Sequence, residues 1–379
     1  MKILIGLIFL FSFQLTLAQK ADCLQVLGQA EDEFNAGHFY GLSSLLQECL
    51  ESNGFTNEQR VRAYILLTQA YLLTDDPIAA EDSYLRLLNA DPEYVADEIK
   101  DPVDVYYLSK KFTATPRFTP TLFRAGTNVS FIRTIHQVNT NSAPDSSKYK
   151  HRVKLGFQVG TGIDWNINDN MSVGAGLNFS QRSFETLGKG ILKHDQQLVT
   201  EQQYWFDIPL YFKYADHLGK IRPFGYVGFS LNLLIADQAK LTYVNRTPAL
   251  DATESSNENP TQGADVNLKY KRNFLNQSLV FGGGIRYKIG KDFVVIDARY
   301  MAGLTNVTNT ERNFYDKSSD YNMAATIGKY SFVGDYFRVD NLSLSVGYVK
   351  PLYDPRKIKK AKTKSAMKQI SKQRSDEKQ

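Results

Sequence analysis

The sequence predicts a mainly β protein: an eight-stranded antiparallel transmembrane β-barrel preceded by a small all-α domain. Two observations carry the barrel. From Thr121 to Tyr353, eight strand-length segments alternate apolar and polar residues, the period of two that sends neighbouring side chains to opposite faces of a sheet. Their connections alternate as well. Tight polar turns fall at Ile167-Asn168-Asp169-Asn170, Asp216-His217-Leu218-Gly219-Lys220 and Gly290-Lys291-Asp292, and long polar loops at 138–150, 187–197, 244–272 and 303–333. Transmembrane barrels keep short turns on the periplasmic side and long loops outside, so this count leaves both chain ends in the periplasm. The third observation is an export signal at the start of the chain.

That signal comprises Met1-Lys2, the apolar run Ile3 to Phe13, and Thr16-Leu17-Ala18: charge, hydrophobic core and small-residue cleavage site in order. Residues 1–18 are expected to be removed and Gln19 to begin the mature chain. The run is too short for a membrane helix, and Gln14 interrupts its end. Lys20-Ala21-Asp22 lacks the apolar and small residues that a lipid anchor at Cys23 would require. No later stretch approaches the ~20 apolar residues of a spanning helix, but strands cross a bilayer with only alternate positions facing lipid.

Residues 21–112 carry helical periodicity, and 19–112 is expected as a periplasmic helical-repeat domain. Tyr64, Leu67, Tyr71, Ala80, Tyr84 and Pro92 stand where two antiparallel helices interlock in a tetratricopeptide repeat, which this region resembles, with Thr68 in place of the usual small residue. Ala30, Gly37, Phe39, Leu42 and Leu46 form a weaker copy 34 residues earlier. Asp91-Pro92 and Asp101-Pro102 read as helix starts, Asp capping and Pro in the first position, and Val103 to Phe112 as a last helix. Cys23 and Cys49 fall at neighbouring ends of an antiparallel hairpin. In an exported chain a disulfide between them is expected, with a pair of buried small apolar residues as the alternative. Repeats of this kind need about three units for a continuous core, so the domain is expected to lean on its disulfide, on the barrel rim or on a partner. A protein-binding surface and a folded plug both remain open.

Residues 113–120 read as a linker and 121–353 as the barrel. The outward sets are apolar: Val153 to Trp165 at odd positions, Val173 to Phe179 at odd positions, Phe206 to Tyr214 at even positions, Val227 to Leu233 at odd positions, and Leu342 to Tyr348 at even positions. Trp165, Trp205, Tyr214, Tyr287, Tyr300 and Tyr348 are expected near the membrane interfaces. Arg124, Lys154, Asp164, Arg182, Asp207, Lys213, Arg286, Asp297 and Arg299 fall on the inner face. An eight-stranded barrel is only wide enough for side chains, so these charges should pair and fill the lumen rather than line a pore.

The stretches Phe206-Asp207-Ile208-Pro209-Leu210-Tyr211-Phe212-Lys213-Tyr214, Arg222-Pro223-Phe224-Gly225-Tyr226-Val227-Gly228 and Ile296 through Asn306 resemble hallmark strands of the PorT-like outer-membrane barrel family, over about residues 120–353. The resemblance implies an outer-membrane barrel. The founding member belongs to type IX secretion, the export of proteins across the outer membrane; the helical amino-terminal region here departs from it.

Residues 354–379 hold ten Lys or Arg against three Asp or Glu, and without this tail and Lys2 the rest of the chain, net +5 as a whole, falls to about −3. The tail reads as a disordered periplasmic segment, out of reach of nucleic acid and able to touch anionic peptidoglycan. No chemistry stands out. His136 and His151 flank a loop with Ser142, Asp145, Ser146 and Ser147, but no spacing fixes a base against a nucleophile. His194-Asp195 reads as surface, five histidines make no metal cluster, and Asn245-Arg246-Thr247 and Asn306-Val307-Thr308 match a sequon at chance level. Gly282-Gly283-Gly284 lies within a strand, where glycine permits curvature and close packing. No catalytic, cofactor or metal site is assigned. The expected partners are outer-membrane lipid and a periplasmic or outer-membrane protein. The leading expectation is a non-enzymatic barrel whose helical repeats scaffold envelope proteins, with a link to type IX secretion. Surface recognition or adhesion through the long loops, or an outer-rim lipid hydrolase, are the alternatives.

Overall fold

A computed structural model describes residues 23–99, 101–138, 149–189, 196–217, 219–246, 258–313 and 334–358. The signal segment, Ser142, Asp145, Ser146, Ser147, His194 and Asp195, and the tail beyond Ile358 lie outside the described residues. The chain divides into two compact units, one of residues up to Pro116 together with those from Tyr353, the other of Arg117–Leu352.

The first unit is helical: α1 (23–35), α2 (Leu42–Glu51), α3 (Asn57–Leu73), α4 (Pro77–Ala90) and α5 (Val103–Ser109). Thr56 starts α3 with a capping box, its hydroxyl accepting from the Gln59 amide at 3.3 Å while the Gln59 side chain accepts from the Thr56 amide at 2.9 Å, which satisfies two helix-end donors at once. Asp76 caps α4 ahead of Pro77. One core gathers Leu27, Ala30, Leu42, Leu46, Ala63 and Leu67, and a second Ala80, Tyr84, Leu87, Val105, Leu108 and Phe112; Tyr64 and Tyr71 pack against both. One expected helix start fails, and the other forms without the expected cap. Asp91 is the C-cap of α4, and its carboxylate accepts from the Glu93 amide at 3.1 Å, making a turn across Pro92. Asp101 accepts from the Asp97 amide at 2.7 Å instead of capping α5, which starts after Pro102 without a side-chain cap. The last helix also ends at Ser109, because Phe112–Thr113 is a strand, β1, that pairs antiparallel with β11 (Arg356–Lys357), the described start of the basic tail.

The second unit holds β2 (Phe118–His136), β3 (Lys150–Asn166), β4 (Met171–Lys189), β5 (Gln196–Ala215), β6 (Ile221–Arg246), β7 (Glu258–Asn267), β8 (Leu275–Ile289), β9 (Asp292–Gly303) and β10 (Tyr336–Val349). Eight of them close a ring in the order β5-β4-β3-β2-β10-β9-β8-β6, with β6 pairing back onto β5. The seam between first and last strands runs from Tyr336↔His136 to Val349↔Thr121. Three short turns sit at one end. At the first, the Asn168 carboxamide accepts from the Asn170 and Met171 amides, a turn chemistry particular to Asn and Asp. Gly219 and Gly290 serve the other two with φ of 84° and 64°, open to glycine without steric cost. The chain enters and leaves the ring at this same end, where Phe118 pairs with Leu352.

At the other end the strands outrun the ring. The segment expected as loop 244–272 instead contains β7, which pairs with β6 from Gln238↔Asn267 to Arg246↔Glu258. Val199, Ala239, Leu241, Val266 and Leu268 form a small core of this extension. A bulge sets Trp205 opposite Leu234 and Tyr204 opposite Ala236, so the inward positions of β6 change from even to odd above it.

Candidate functional site

The ring is inverted relative to a soluble protein. Leu155, Val173, Leu210, Val227, Ile285 and Leu344 are exposed on its outside, while Asp164, Arg182, Asp207, Lys213, Asp297 and Arg299 are buried within it. An exposed apolar belt of this extent marks a surface that meets lipid or protein, and the alternation is that of a transmembrane barrel. Trp165, Tyr214, Tyr287 and Tyr300 face out. Trp205 does not: it is 1 % exposed and packs with Phe184, Leu234 and Phe337. Its odd number puts it on the face of Asp207 and Lys213, opposite the even-numbered outward set of β5.

Nearest the short turns, the Lys213 ammonium meets the Asp164 carboxylate at 2.7 Å, and the Tyr211 hydroxyl donates to the same carboxylate at 2.8 Å. Asp297 receives Arg124 at 3.3 Å, Arg299 at 3.7 Å and the Tyr226 hydroxyl at 2.8 Å. Arg299 Nε also donates to the Tyr226 oxygen at 2.9 Å, and the two tyrosine rings lie 4.9 Å apart. Arg286 stands over Phe224 at 5.5 Å. Two glycines make room for this packing. A Cβ on Gly174 would fall 2.3 Å from the Tyr211 ring, and one on Gly282 would fall 2.2 Å from that of Tyr226.

Higher up, Asp207 accepts from Arg182 at 2.7 Å on each oxygen, from Ser180 at 2.8 Å and from Asn232. The Arg182 guanidinium lies 5.0 Å from the centre of the Trp205 ring. Asp164, Lys213, Arg124, Asp297, Arg299, Asp207 and Arg182 therefore each have both an opposite charge and a hydrogen bond, the condition under which buried ions are tolerated. Lys154 leaves this set. The two residues Leu155 and Gly156 stand against Arg182 alone, a bulge that reverses the alternation, and the Lys154 ammonium pairs with Glu185 at a side-chain exposure of 41 %.

A further buried cluster, which the alternation pattern does not single out, sits in the extension at the end away from the short turns. Arg272, from the segment between β7 and β8, donates to Glu201 at 2.9 Å and to Asp237 at 2.9 Å, and reaches Thr308 at 3.1 Å. Its guanidinium lies over Phe337 at 5.0 Å. The outward neighbours Gln202 and Lys240 are polar and exposed, which sets the cluster beyond the apolar belt. Two buried carboxylates share one buried guanidinium here. Burial pushes the Glu201 carboxyl up to about 7 and raises Asp237 too, against the pull of Arg272. Nearby, burial pushes Asp335 up to about 6, although its carboxylate accepts from the Val138 amide.

The Cys23–Cys49 disulfide joins the start of α1 to the end of α2. Tyr64 and Tyr71 of α3 pack against the core that holds Ala80 and Tyr84 of α4, Leu67 lies in the first helical core, Thr68 returns its hydroxyl to the Tyr64 carbonyl at 2.7 Å, and Pro92 lies in the turn after α4. The His136 ring lies 6.0 Å from that of Tyr336, tilted by 37°. His151 has both ring nitrogens taken by threonine hydroxyls, Thr186 at 3.0 Å and Thr134 at 3.2 Å. Among the described residues, no group of three or more His, Cys, Asp or Glu could hold a metal ion, and no helix is long and apolar enough to cross a membrane.

No curated protein matches the chain. Among solved structures, OprG from Pseudomonas aeruginosa is similar at 12 % identity, covering 65 % of this chain and 98 % of its own, with a TM-score of 0.35. Ail from Yersinia pestis aligns at 14 % identity over 62 % of this chain and 99 % of its own, TM-score 0.25, and Neisserial surface protein A at 11 % over 61 % and 98 %, TM-score 0.26. Residues 121–309 match the family described as outer membrane protein beta-barrel domain, and with the closed, inverted ring around them the chain is an outer-membrane β-barrel protein.

Proposed function

We propose that the protein is a non-catalytic anchor: the barrel fixes a tetratricopeptide-like helical domain on the periplasmic side of the outer membrane, where that domain scaffolds envelope proteins. The observation that carries this reading is the filled lumen. Paired charges and tyrosines pack so closely that Gly174 and Gly282 have no space for a methyl group, which leaves the ends of the barrel, not its interior, to act. A barrel of PorT-like kind further suggests that the recruited proteins belong to type IX secretion. In-cell crosslinking of the full-length protein, compared with a chain lacking residues 19–112, tests the scaffold. A partner set lost with the helical domain is the expected result; an identical set from both chains would overturn it, and normal secretion in a deletion strain would remove the type IX link alone.

A second reading has an observation of its own. The β5–β6–β7 extension is an ordered platform with its own core and a buried ion cluster beyond the apolar belt, a rigid base on which long outer loops can recognise a surface. Removing 247–257 without loss of barrel assembly should then abolish adhesion, and unchanged adhesion would dispose of this reading.

A further inference from the structure

The helical unit and the tail carry opposite charge. Residues 23–116 hold sixteen Asp and Glu against six Lys and Arg, whereas 359–374 hold seven Lys and Arg and no acid. The described start of the tail is already seated on the helices. The Tyr353 hydroxyl donates to Glu93 at 2.7 Å, Arg356–Lys357 pair with Phe112–Thr113, the Lys357 ammonium meets both oxygens of Glu81 at 2.6 Å, and the Ile358 amide donates to the Lys111 carbonyl at 2.8 Å. Glu93 lies just past the C-terminal end of α4 and Glu81 near its N-terminal end. The chain therefore runs against α4, toward its N-terminus. At that end stand Asp82, Asp76 and Asp75, beside a groove of about 190 Å³ lined by Phe39, Tyr40, Leu67, Tyr71, Thr74 and Asp76.

We propose that this acidic end of α4, with the adjoining groove, is a binding site for a lysine-rich segment, and that its occupant is the chain's own residues 359–374. The reach is sufficient. Glu81 and Asp76 are separated by ~7.5 Å of helix rise, and an extended chain advances about 3.3–3.6 Å per residue, so Lys359, Lys360 and Lys362 come alongside Asp82, Asp76 and Asp75. Met367 and Ile370, the large apolar residues of the stretch, are the ones available to the aromatic lining of the groove. The site is built from the helical unit alone and stands whether or not that unit recruits a partner.

Carbodiimide, which joins amines to carboxylates in direct contact, tests this on the full-length protein in lipid nanodiscs, with links read by mass spectrometry. Links from Lys359, Lys360 or Lys362 to Asp75, Asp76 or Asp82 are expected, alongside the Lys357–Glu81 link as an internal control. In an equal mixture of isotopically light and heavy protein they should join chains of one form only. Asp75→Lys with Asp82→Lys should cut the yield roughly tenfold, as should about 1 M salt, where the screening length is ~3 Å. Links between light and heavy chains, links spread evenly over all acidic residues, or yields indifferent to the substitutions would overturn the proposal. So would loss of the links when peptidoglycan sacculi are added at low salt, since the tail would then prefer the cell wall, and so would absence of the control link.

Discussion

Asp207→Ala is expected to cost the barrel about 3–5 kcal/mol, the range for removing one member of a buried ion pair. Arg182 touches both Asp207 oxygens at 2.7 Å, where the gross attraction is ~6 kcal/mol at an effective dielectric constant of about 20. Desolvating the two groups offsets much of that gain in the native protein. In the variant the attraction is gone and the desolvation of Arg182 remains, because a side chain that is 4 % exposed cannot reach water. Ser180 and Asn232 lose an acceptor as well. Arg182→Met combined with Asp207→Leu removes the stranded charge along with its partner, and should be more stable than Asp207→Ala by roughly 2 kcal/mol. Urea titration in lipid vesicles measures both, with tryptophan emission as the probe: Trp205 lies over Arg182 and Trp165 faces out. A loss below about 1 kcal/mol for the single change, the range of an exposed pair, or a double variant that shows the sum of two separate losses, would refute the view that these residues fill the lumen as a unit.

Gly282→Ala places a methyl carbon 2.2 Å from the Tyr226 ring and should cost about 1–3 kcal/mol in the same titration; adding Tyr226→Ala should recover part of that loss, and an unperturbed single variant would contradict the packing. Cys23→Ala with Cys49→Ala opens a loop of 26 residues' separation, which the chain-entropy account values at ~3.5 kcal/mol. Limited proteolysis should then cut the helical unit of the full-length protein and spare the barrel, and equal resistance in both proteins would argue against it. The Glu201–Asp237–Arg272 cluster gives a pH dependence. Burial pushes the Glu201 carboxyl up to about 7 from an ordinary 4.5 and raises Asp237 with it, so the folded extension holds more protons than the opened one, and its stability falls as pH rises through that interval. Hydrogen exchange around Val199 to Gln203, corrected for intrinsic rate, should be slower at about pH 5 than at about pH 8. Glu201→Gln should flatten the difference, and a profile already flat in the native protein would sink the assignment.

Much of the ring was legible because alternation and turn chemistry are local. Lys213, Asp207 and Asp164 sit on the inner face that their numbering implies, and the same counting places Tyr211 beside Lys213 and Trp205 beside Asp207. The departures come from features that counting does not register. Bulges at Leu155–Gly156 and around Ile235 reverse the alternation above them, which moves Lys154 off the inner face and turns Asp237 onto it. Arg272 comes from a connection between strands, and only the folded chain brings it to Glu201. In the helical unit the apolar spacing of α3 and α4 was plain. Asp91-Pro92 misled because the Asp side chain satisfied the Glu93 amide, closing a turn where a helix start was expected.

The β1–β11 pairing turns the barrel into an insertion within the helical unit. Bringing Phe112 to Lys357 across an unstructured chain of roughly 240 residues would cost about 5 kcal/mol in closure entropy. The finished ring removes most of that expense, because it already fixes Phe118 opposite Leu352. A two-residue ladder too short to survive unaided is thus conditional on the last strand having met the first, so its pairing follows closure of the ring.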